Sequence, residues 1–159
     1  MKKHSLTIFS IGHSNRTLDE FLRILKTYGI QLVVDVRRFL TSKWEWFKKE
    51  SIQEALNIRN IRYEYLGDLL GGFRKGGYEK HMKTEEFKSG LSQVKELAKN
   101  CRVAMMCSEK IVFKCHRRFI SRALQRRGIQ VIHIVDSERA FELPLLHVKR
   151  AKYRAPFSN

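Results

Sequence analysis

The stretch Arg102-Val-Ala-Met-Met106 is an almost continuous apolar run, and Cys107-Ser-Glu109 follows it directly. Such a run predicts a strand that is buried on both faces, as the strands of parallel sheets are. Downstream, apolar residues keep helical spacing over residues 114–127 and the pattern stops at Gly128. Residues 130–135 predict another strand. A strand, a helix and a strand in this order predict a βαβ unit with parallel strands.

The same alternation runs through the first half of the chain. Further strands are predicted at residues 6–11, 31–36 and 61–65, and further helices after Thr17, at 52–58 and at 84–98. Thr17 and Glu20 have the spacing of a capping box. We therefore predict an α/β fold of three layers, with a mostly parallel sheet of about five strands and helices on both faces. This architecture is Rossmann-like, but the glycine fingerprint of dinucleotide-binding folds and the P-loop motif are absent.

Length and composition suit one domain. The chain has 159 residues, of which 43 % are hydrophobic, enough for an ordinary core. We expect the α/β domain at residues 1–136 and a basic C-terminal tail at 137–159 that packs on the domain or extends from it. No apolar run approaches the roughly 20 residues that span a bilayer. We therefore expect a soluble, cytoplasmic protein with no membrane partner. The three cysteines are too few for a disulfide scaffold.

The chain is strongly basic. Its 32 Lys and Arg residues against 16 Asp and Glu residues give a formal charge of +16. This balance favours polyanionic partners, namely nucleic acid, nucleotides or phosphorylated metabolites, although a solvated lysine-rich surface is the alternative. Aromatic and basic residues also alternate at 37–49 and in the tail, where phosphate pairing and base stacking would suit nucleic acid. The basic and aromatic residues of the tail are Lys149, Arg150, Lys152, Tyr153, Arg154 and Phe157.

Reactive residue types follow several predicted strands. In open α/β sheets, ligands bind beyond the carboxyl ends of the strands, at a switch in strand order. His133 instead falls inside the fifth predicted strand and is expected to be buried. The candidate site residues are, in the order of the strands that they follow, His13 and Ser14; Asp35 and Arg37; Gly71 and Gly72; and Cys107, Glu109, Cys115, His116 and Arg117.

Cys115 is predicted in the first turn of a helix, where unpaired backbone N–H groups and the helix dipole favour an anion. A helix start with His and Arg beside it lowers the pKa of a thiol. We therefore expect Cys115 or Cys107 to be a nucleophile.

The other candidates are expected to serve this thiol or its substrate. Glu109, His13 and His116 would move protons. Arg37 and Arg117 would hold an anionic group of the substrate. The remaining substrate-contacting candidates are Ser14, Asp35, Gly71 and Gly72.

Structural roles remain open for several of these residues. Cys107 also suits a core position, Asp35 and Arg37 also suit an internal ion pair, and the glycines also suit tight turns. The spacing of Cys107, Glu109, Cys115 and His116 does not fit a usual zinc motif, so no metal is predicted. No motif indicates a cofactor. A reversible disulfide between Cys107 and Cys115 is a further, weaker alternative.

In combination, several motifs resemble those of the domain-of-unknown-function 488 (DUF488) family. They are Ile11-Gly-His-Ser14, Asp35-Val-Arg37, Leu66-Gly-Asp-Leu-Leu-Gly-Gly72, Cys107-Ser-Glu109, Cys115-His-Arg117 and His133-Ile134. The resemblance covers roughly residues 7–134 and implies a compact α/β domain with these motifs gathered in one site. It implies no reaction. The family has a proline- and serine-rich stretch after its Asp-Val-Arg, whereas this chain has Phe39-Leu-Thr-Ser-Lys-Trp-Glu-Trp46.

Two functions follow from these observations. The first is an enzyme that acts on a phosphate-bearing or nucleic-acid substrate through the Cys, His, Glu and Arg residues at the strand ends. The alternative is a non-catalytic nucleic-acid-binding module that uses the basic surface and tail. The enzyme ranks first, because a surface binder has no need for these residue types at the ends of buried strands. Oligomeric state is not indicated by the sequence.

Overall fold

The computed structural model describes residues 6–39, 42–144 and 152–154. Its centre is one sheet of seven strands in the order β3-β2-β4-β1-β5-β6-β7. The first five strands along the chain pair in parallel, and β6 and β7 extend the sheet antiparallel at one edge. The strands are β1 (Thr7–Gly12), β2 (Leu32–Asp35), β3 (Arg62–Tyr65), β4 (Val103–Cys107), β5 (Gln130–Ile134), β6 (Arg139–Phe141) and β7 (Lys152–Arg154).

Six α-helices in the described ranges cover the two faces of this sheet, which confirms the predicted three-layer α/β architecture. Thr17 and Thr84 cap two of them, since their hydroxyls accept hydrogen bonds from the backbone N–H of Glu20 and Phe87. The helices are α1 (Leu18–Thr27), α2 (Lys49–Ile58), α3 (Gly67–Leu70), α4 (Tyr78–His81), α5 (Glu85–Ala98) and α6 (Arg117–Arg126).

The two faces of the sheet carry separate apolar cores, because successive side chains of a strand point to opposite faces. Ala104 and Met106 of β4 pack with α1 and α2 on one face. Met105 and Cys107 pack with α5 and α6 on the other. The thiol of Cys107 therefore lies on the same side of the sheet as α6.

The switch in strand order falls between β1 and β4. These strands are neighbours in the sheet. However, α1, which connects β1 to β2, packs on one face of the sheet, whereas α6, which connects β4 to β5, packs on the opposite face. Helices that leave in opposite directions open a crevice at the carboxyl ends of the two strands. The fold thereby brings the loops that contain His13 and Cys107 together, and His13 N donates to Cys107 O at 2.8 Å.

Two predicted elements are wrong in detail. The helix predicted at 114–127 begins only at Arg117, after a 3₁₀ turn at Val112–Lys114, so Cys115 precedes the helix rather than lying in its first turn. The glycine-rich segment after β3, for which no helix was predicted, contains α3 and the start of α4. In both places short-range turn geometry, which has little periodic signal, decides the conformation.

The segment expected to be a C-terminal tail contributes β6 and β7 to the sheet. Lys149, Arg150 and Phe157 lie outside the described residues, as do residues 40 and 41 of the aromatic-basic stretch. Within the described ranges, no helix is long and apolar enough to cross a membrane.

Candidate active site

Two free thiols meet at the end of β4. The Sγ atoms of Cys107 and Cys115 lie 2.8 Å apart, and both side chains are buried. Glu109 O lies 3.8 Å from the Cys107 sulfur, so the neighbouring sulfur is the nearer acceptor for the Cys107 S–H. The structure therefore joins two residues that the sequence offered as alternative nucleophiles.

Arg117 provides the positive charge beside this pair. Its side chain is 1 % exposed, and its Nε and its backbone N both donate to Cys115 Sγ at 3.4 Å. The remaining guanidinium nitrogens are also engaged, since Nη1 donates to Ser10 Oγ at 2.9 Å and Nη2 to Glu109 O at 2.6 Å. The guanidinium is thus fixed by β1 and by the loop after β4, and it faces the sulfur of Cys115.

The two thiols have opposite pKa shifts. The pKa of Cys115 is lowered, first by the hydrogen bond from the Cys107 thiol and then, against the cost of burial, by His116 and Arg117. The pKa of Cys107 is raised, first by burial and then by its bond to Cys115. Because one proton between two close sulfurs favours a single ionised form, Cys115 is the thiolate and Cys107 remains the protonated donor.

His116 lies against the same sulfur on the side of β2. Its Nε2 must donate to the Val36 carbonyl, 2.9 Å away, because a carbonyl oxygen only accepts. This bond leaves Nδ1 facing Cys115 Sγ at 3.7 Å. A proton on Nδ1 stabilises the thiolate, and a vacant Nδ1 accepts a proton, so His116 is placed to move a proton to or from Cys115.

Buried hydrogen bonds connect Arg117 to Ser10 of β1 and then to His133 of β5. Ser10 Oγ, which accepts from Arg117, lies 2.5 Å from His133 Nδ1 on the neighbouring strand. His133 is buried, as predicted, and burial followed by the charge of Arg117 lowers its pKa to about 3. His133 is therefore neutral, and Nε2 is its one ring nitrogen without a hydrogen-bond partner in the described part of the chain.

Asp35 and Arg37 form a second buried cluster beside the first. Both oxygens of the Asp35 carboxylate accept from the Arg37 guanidinium, at 2.9 Å and 2.8 Å, and Tyr63 Oη donates to Asp35 at 2.6 Å. The last nitrogen of Arg37 donates to Phe47 O at 2.6 Å. Arg37 thus has its guanidinium donors directed into the protein, in the internal ion pair that the sequence left open.

His13 links the two clusters as a neutral ring. Its Nδ1 donates to Ser14 O at 2.9 Å and its Nε2 accepts from Arg37 Nη1 at 3.3 Å. The ring stacks on Phe47 with centroids 4.2 Å apart. Burial lowers the pKa of His13 to about 4, so both ring nitrogens have fixed hydrogen-bond roles at neutral pH.

The remaining predicted residues occupy the rim or act through the main chain. Glu109 touches the site through its carbonyl oxygen, whereas its carboxylate accepts from Ile111 N at 3.1 Å. Ser14 N donates to Ser108 O, which ties the loops after β1 and β4 together. A Cβ on Gly71 would meet Gly67 O at 2.4 Å, and a Cβ on Gly72 would lie 3.1 Å from His116 Nδ1. Because a Cβ on Gly71 would also lie 2.7 Å from Arg38 Cα, the close approach of the segment after β3 to the loop after β2 needs glycine at this position.

No group of three or more His, Cys, Asp or Glu side chains in the described ranges is arranged to hold a metal ion. What the arrangement offers instead is a buried thiolate with a thiol and an imidazole as proton carriers.

The sequence pattern of the domain of unknown function DUF488 matches residues 17–124, more than half of the chain. The chain belongs to the DUF488 family. No match was found among curated proteins. In this DUF488 chain, the matched segment contains both thiols, His116 and Arg117, whereas Ser10, His13 and His133 lie outside it.

Sequence reasoning missed two polar side chains of this DUF488 site, those of Ser10 and Tyr63, and one backbone group, the carbonyl of Phe47. Ser10 offered a signal, because a hydroxyl inside an otherwise apolar strand needs a buried partner. Tyr63 offered none, since an aromatic residue in a strand is ordinary.

Proposed function

We propose that this chain is an enzyme in which the Cys115 thiolate attacks a phosphate-bearing or nucleic-acid substrate. The observation that carries the proposal is the contact of Cys115 Sγ with three donors: the Cys107 thiol at 2.8 Å and two N–H groups of Arg117 at 3.4 Å each. A thiolate rather than a thiol is the nucleophile in cysteine chemistry. A structural pair of core cysteines would not need a buried arginine directed at one sulfur.

In the proposed step, Cys115 Sγ supplies the electron pair for a bond to an electrophilic atom of the substrate. The leaving group departs with the electrons of the bond that breaks and takes the proton of the Cys107 thiol or of His116. Water then displaces the sulfur, gives its proton to the same group, and restores the thiolate. Atoms and charges balance in this sequence with water as the only co-reactant.

The preference for an anionic substrate rests on exposed cations. Arg37 and Arg117 have their donors engaged inside the protein, so other side chains must meet a substrate anion. Arg38 and Lys110 are exposed on the loops after β2 and β4, and neither makes an ion pair within the described residues. We assign substrate-anion binding to these two residues.

The test is covalent trapping. The protein is incubated with nucleoside triphosphates, single-stranded RNA and single-stranded DNA, quenched in acid, and measured as intact protein by mass spectrometry. We expect an adduct or released product with wild type and with Cys101→Ser, and neither with Cys115→Ser. Absence of both from every substrate with wild type would overturn the proposal, and so would turnover by Cys115→Ser.

A non-catalytic nucleic-acid-binding module is the second candidate, and one surface favours it. A cavity of about 720 Å³ beside α5 and α6 has an apolar floor and a basic rim. The rim cations are Lys83, Lys88, Arg122, Arg126 and Arg127. Under this alternative, Cys115→Ser would bind nucleic acid as wild type does and no substrate would turn over, while Arg122→Gln with Arg126→Gln would weaken binding.

A further inference from the structure

Exposed apolar side chains are concentrated around the thiol site. Five large hydrophobic side chains are exposed in the described part of the chain, and four of them lie on loops at the carboxyl ends of β2, β3 and β4. Large exposed apolar groups beside polar ones mark binding surfaces. The four are Phe39, Phe73, Ile111 and Phe113, whereas the fifth, Ile58, ends α2.

Phe39 and Phe73 form a pair at this edge. Their ring centroids lie 5.6 Å apart with the planes inclined by 38°. Phe39 is 58 % exposed and Phe73 is 84 % exposed, so the rings bury little of each other and offer free faces to solvent. Two adjacent aromatic rings that remain exposed add little to the stability of the fold, whereas their faces are suited to stacking on a planar ligand.

The backbone at Phe73 also opposes a purely structural role. Phe73 has φ +57°, a region that glycine adopts freely and a bulky residue adopts at a cost in free energy. Gly71 and Gly72 precede it. Glycine would be more stable than phenylalanine at this position, and the exposed ring of Phe73 offsets little of this cost by burial.

The pair lies next to the thiol site. Gly71 packs against the backbone of Arg38, which precedes Phe39, because a Cβ on Gly71 would lie 2.7 Å from Arg38 Cα. On the other side, a Cβ on Gly72 would lie 3.1 Å from His116 Nδ1, and that nitrogen is 3.7 Å from Cys115 Sγ. Phe73 thus follows directly in the chain the residue that packs against the imidazole facing the thiolate.

Exposed cations lie on the loops that carry the rings and on the loop after β4. Arg38 adjoins Phe39, Lys75 follows Phe73 closely, and Lys110 and Lys114 lie on the loop after β4. All four are exposed, and within the described ranges none of them forms an ion pair. Exposed aromatic rings among unpaired cations match the bases and phosphates of single-stranded nucleic acid.

We propose that Phe39 and Phe73 form a stacking platform for a base of single-stranded nucleic acid, with Arg38 and Lys75 pairing with the adjacent phosphates. This inference rests on the proposed function for the chemistry that follows binding, but the binding itself does not require a reactive Cys115. A duplex buries its base faces in its own stack, so the platform selects single strands.

The test measures the Kd of a short fluorescent single-stranded oligonucleotide by anisotropy, with inorganic polyphosphate and polyglutamate as polyanions without bases. Phe73→Leu removes the ring and keeps an apolar side chain, whereas Phe73→Gly also relieves the backbone conformation. Ile58→Ala is the matched control at an exposed apolar site elsewhere. We expect each Phe73 variant to raise the oligonucleotide Kd roughly tenfold, with binding of polyphosphate and polyglutamate unchanged.

Three results with the variants would overturn the platform: a wild-type Kd in both Phe73 variants, an equal loss of polyphosphate binding in these variants, and an equal loss of oligonucleotide binding in Ile58→Ala. Tighter binding of polyglutamate than of the oligonucleotide by wild type would overturn it in favour of an acidic protein partner. Cys115→Ser should bind the oligonucleotide as wild type does. The Kd shift of Phe73→Leu, together with neither an adduct on Cys115 nor a released product in wild type, would leave the platform standing and refute the enzyme.

Discussion

Arg117 donates two N–H groups to the sulfur of Cys115, and that sulfur lies 2.8 Å from the sulfur of Cys107. This relationship gives two chemically identical side chains different protonation states. Cys107 sits on a buried strand and keeps its proton, while Cys115 precedes a helix and faces a guanidinium. The asymmetry assigns a nucleophile and a proton donor.

Oxidation should join the two thiols. Treatment with a diazene dicarboxamide oxidant should form one disulfide between Cys107 and Cys115, because the sulfurs already touch. The pair gives two electrons and the proton of the Cys107 thiol to the oxidant, which takes its second proton from water and becomes the hydrazine. Mass spectrometry of peptides should find this crosslink and leave Cys101 reduced, and a dithiol reductant should reverse it. A crosslink that involves Cys101 instead, or none at all, would contradict the geometry.

Asp35→Asn should destabilise the protein by about 3 to 5 kcal/mol, because it leaves the buried Arg37 guanidinium without its counter-charge. The measurement is the free energy of unfolding in urea. Asp68→Asn, at an exposed carboxylate of α3, is the control and should change stability by about 0.5 kcal/mol or less. Equal effects of the two substitutions would show that the ion pair does not stabilise the fold.

Gly12→Ala should disturb both stability and the thiol site. A Cβ at Gly12 would meet Glu109 O at 1.9 Å, and that oxygen accepts from Arg117. We expect a loss of about 3 kcal/mol and a rise in the pKa of Cys115 as Arg117 shifts.

Gly128→Ala is the control for this substitution. Gly128 has φ +81° and open space around it, so its replacement should cost about 1 kcal/mol through backbone strain alone and leave Cys115 unchanged. An unaltered thiol site in Gly12→Ala would mean that the Glu109 carbonyl does not hold Arg117 in position.

Acid should destabilise the protein between about pH 6.5 and pH 4. The pKa of His13 is about 6.5 in the unfolded chain and about 4 in the folded protein. Between these values the unfolded chain binds a proton that the folded protein does not, so the free energy of unfolding decreases as the pH is lowered. The loss at His13 approaches about 3 kcal/mol at pH 4, and His133 adds to it with the same sign. The free energy of unfolding in urea, measured as a function of pH, should decrease less steeply towards acid in His13→Asn than in wild type. Identical slopes against pH would contradict a neutral, buried His13.

Periodic elements were predictable from the sequence, because hydrophobic spacing reports the local chain path. The five parallel strands and α1, with its Thr17 cap, appear within about two residues of their predicted positions. The start of α6 was not predictable, since a 3₁₀ turn and a helix share similar local patterns. The resulting shift moves Cys115 out of the helix, although its sulfur still accepts from the first helical N–H.

The partners of the charged groups were the least predictable part of the site. Sequence adjacency placed Arg37 near Asp35, but Tyr63 of β3 and Phe47 O complete that cluster from other parts of the chain. Likewise, Arg117 reaches Ser10, a residue of β1 far away in the chain. Which donors remain free for a substrate depends on the register of β1, β4 and β5, and residue types do not encode that register directly.

The central claim is that Cys115 is a thiolate at neutral pH with Cys107 as its hydrogen-bond donor. The most direct measurement is the ultraviolet thiolate absorbance of wild type minus Cys115→Ser as a function of pH, compared with a model peptide thiol of pKa about 8.5. Difference absorbance does not depend on reagent access to Cys115, a residue that is only 5 % exposed. We predict one thiolate that persists below about pH 6, with its midpoint raised in Cys107→Ala and in Arg117→Lys. A midpoint at or above that of the peptide thiol would contradict the account.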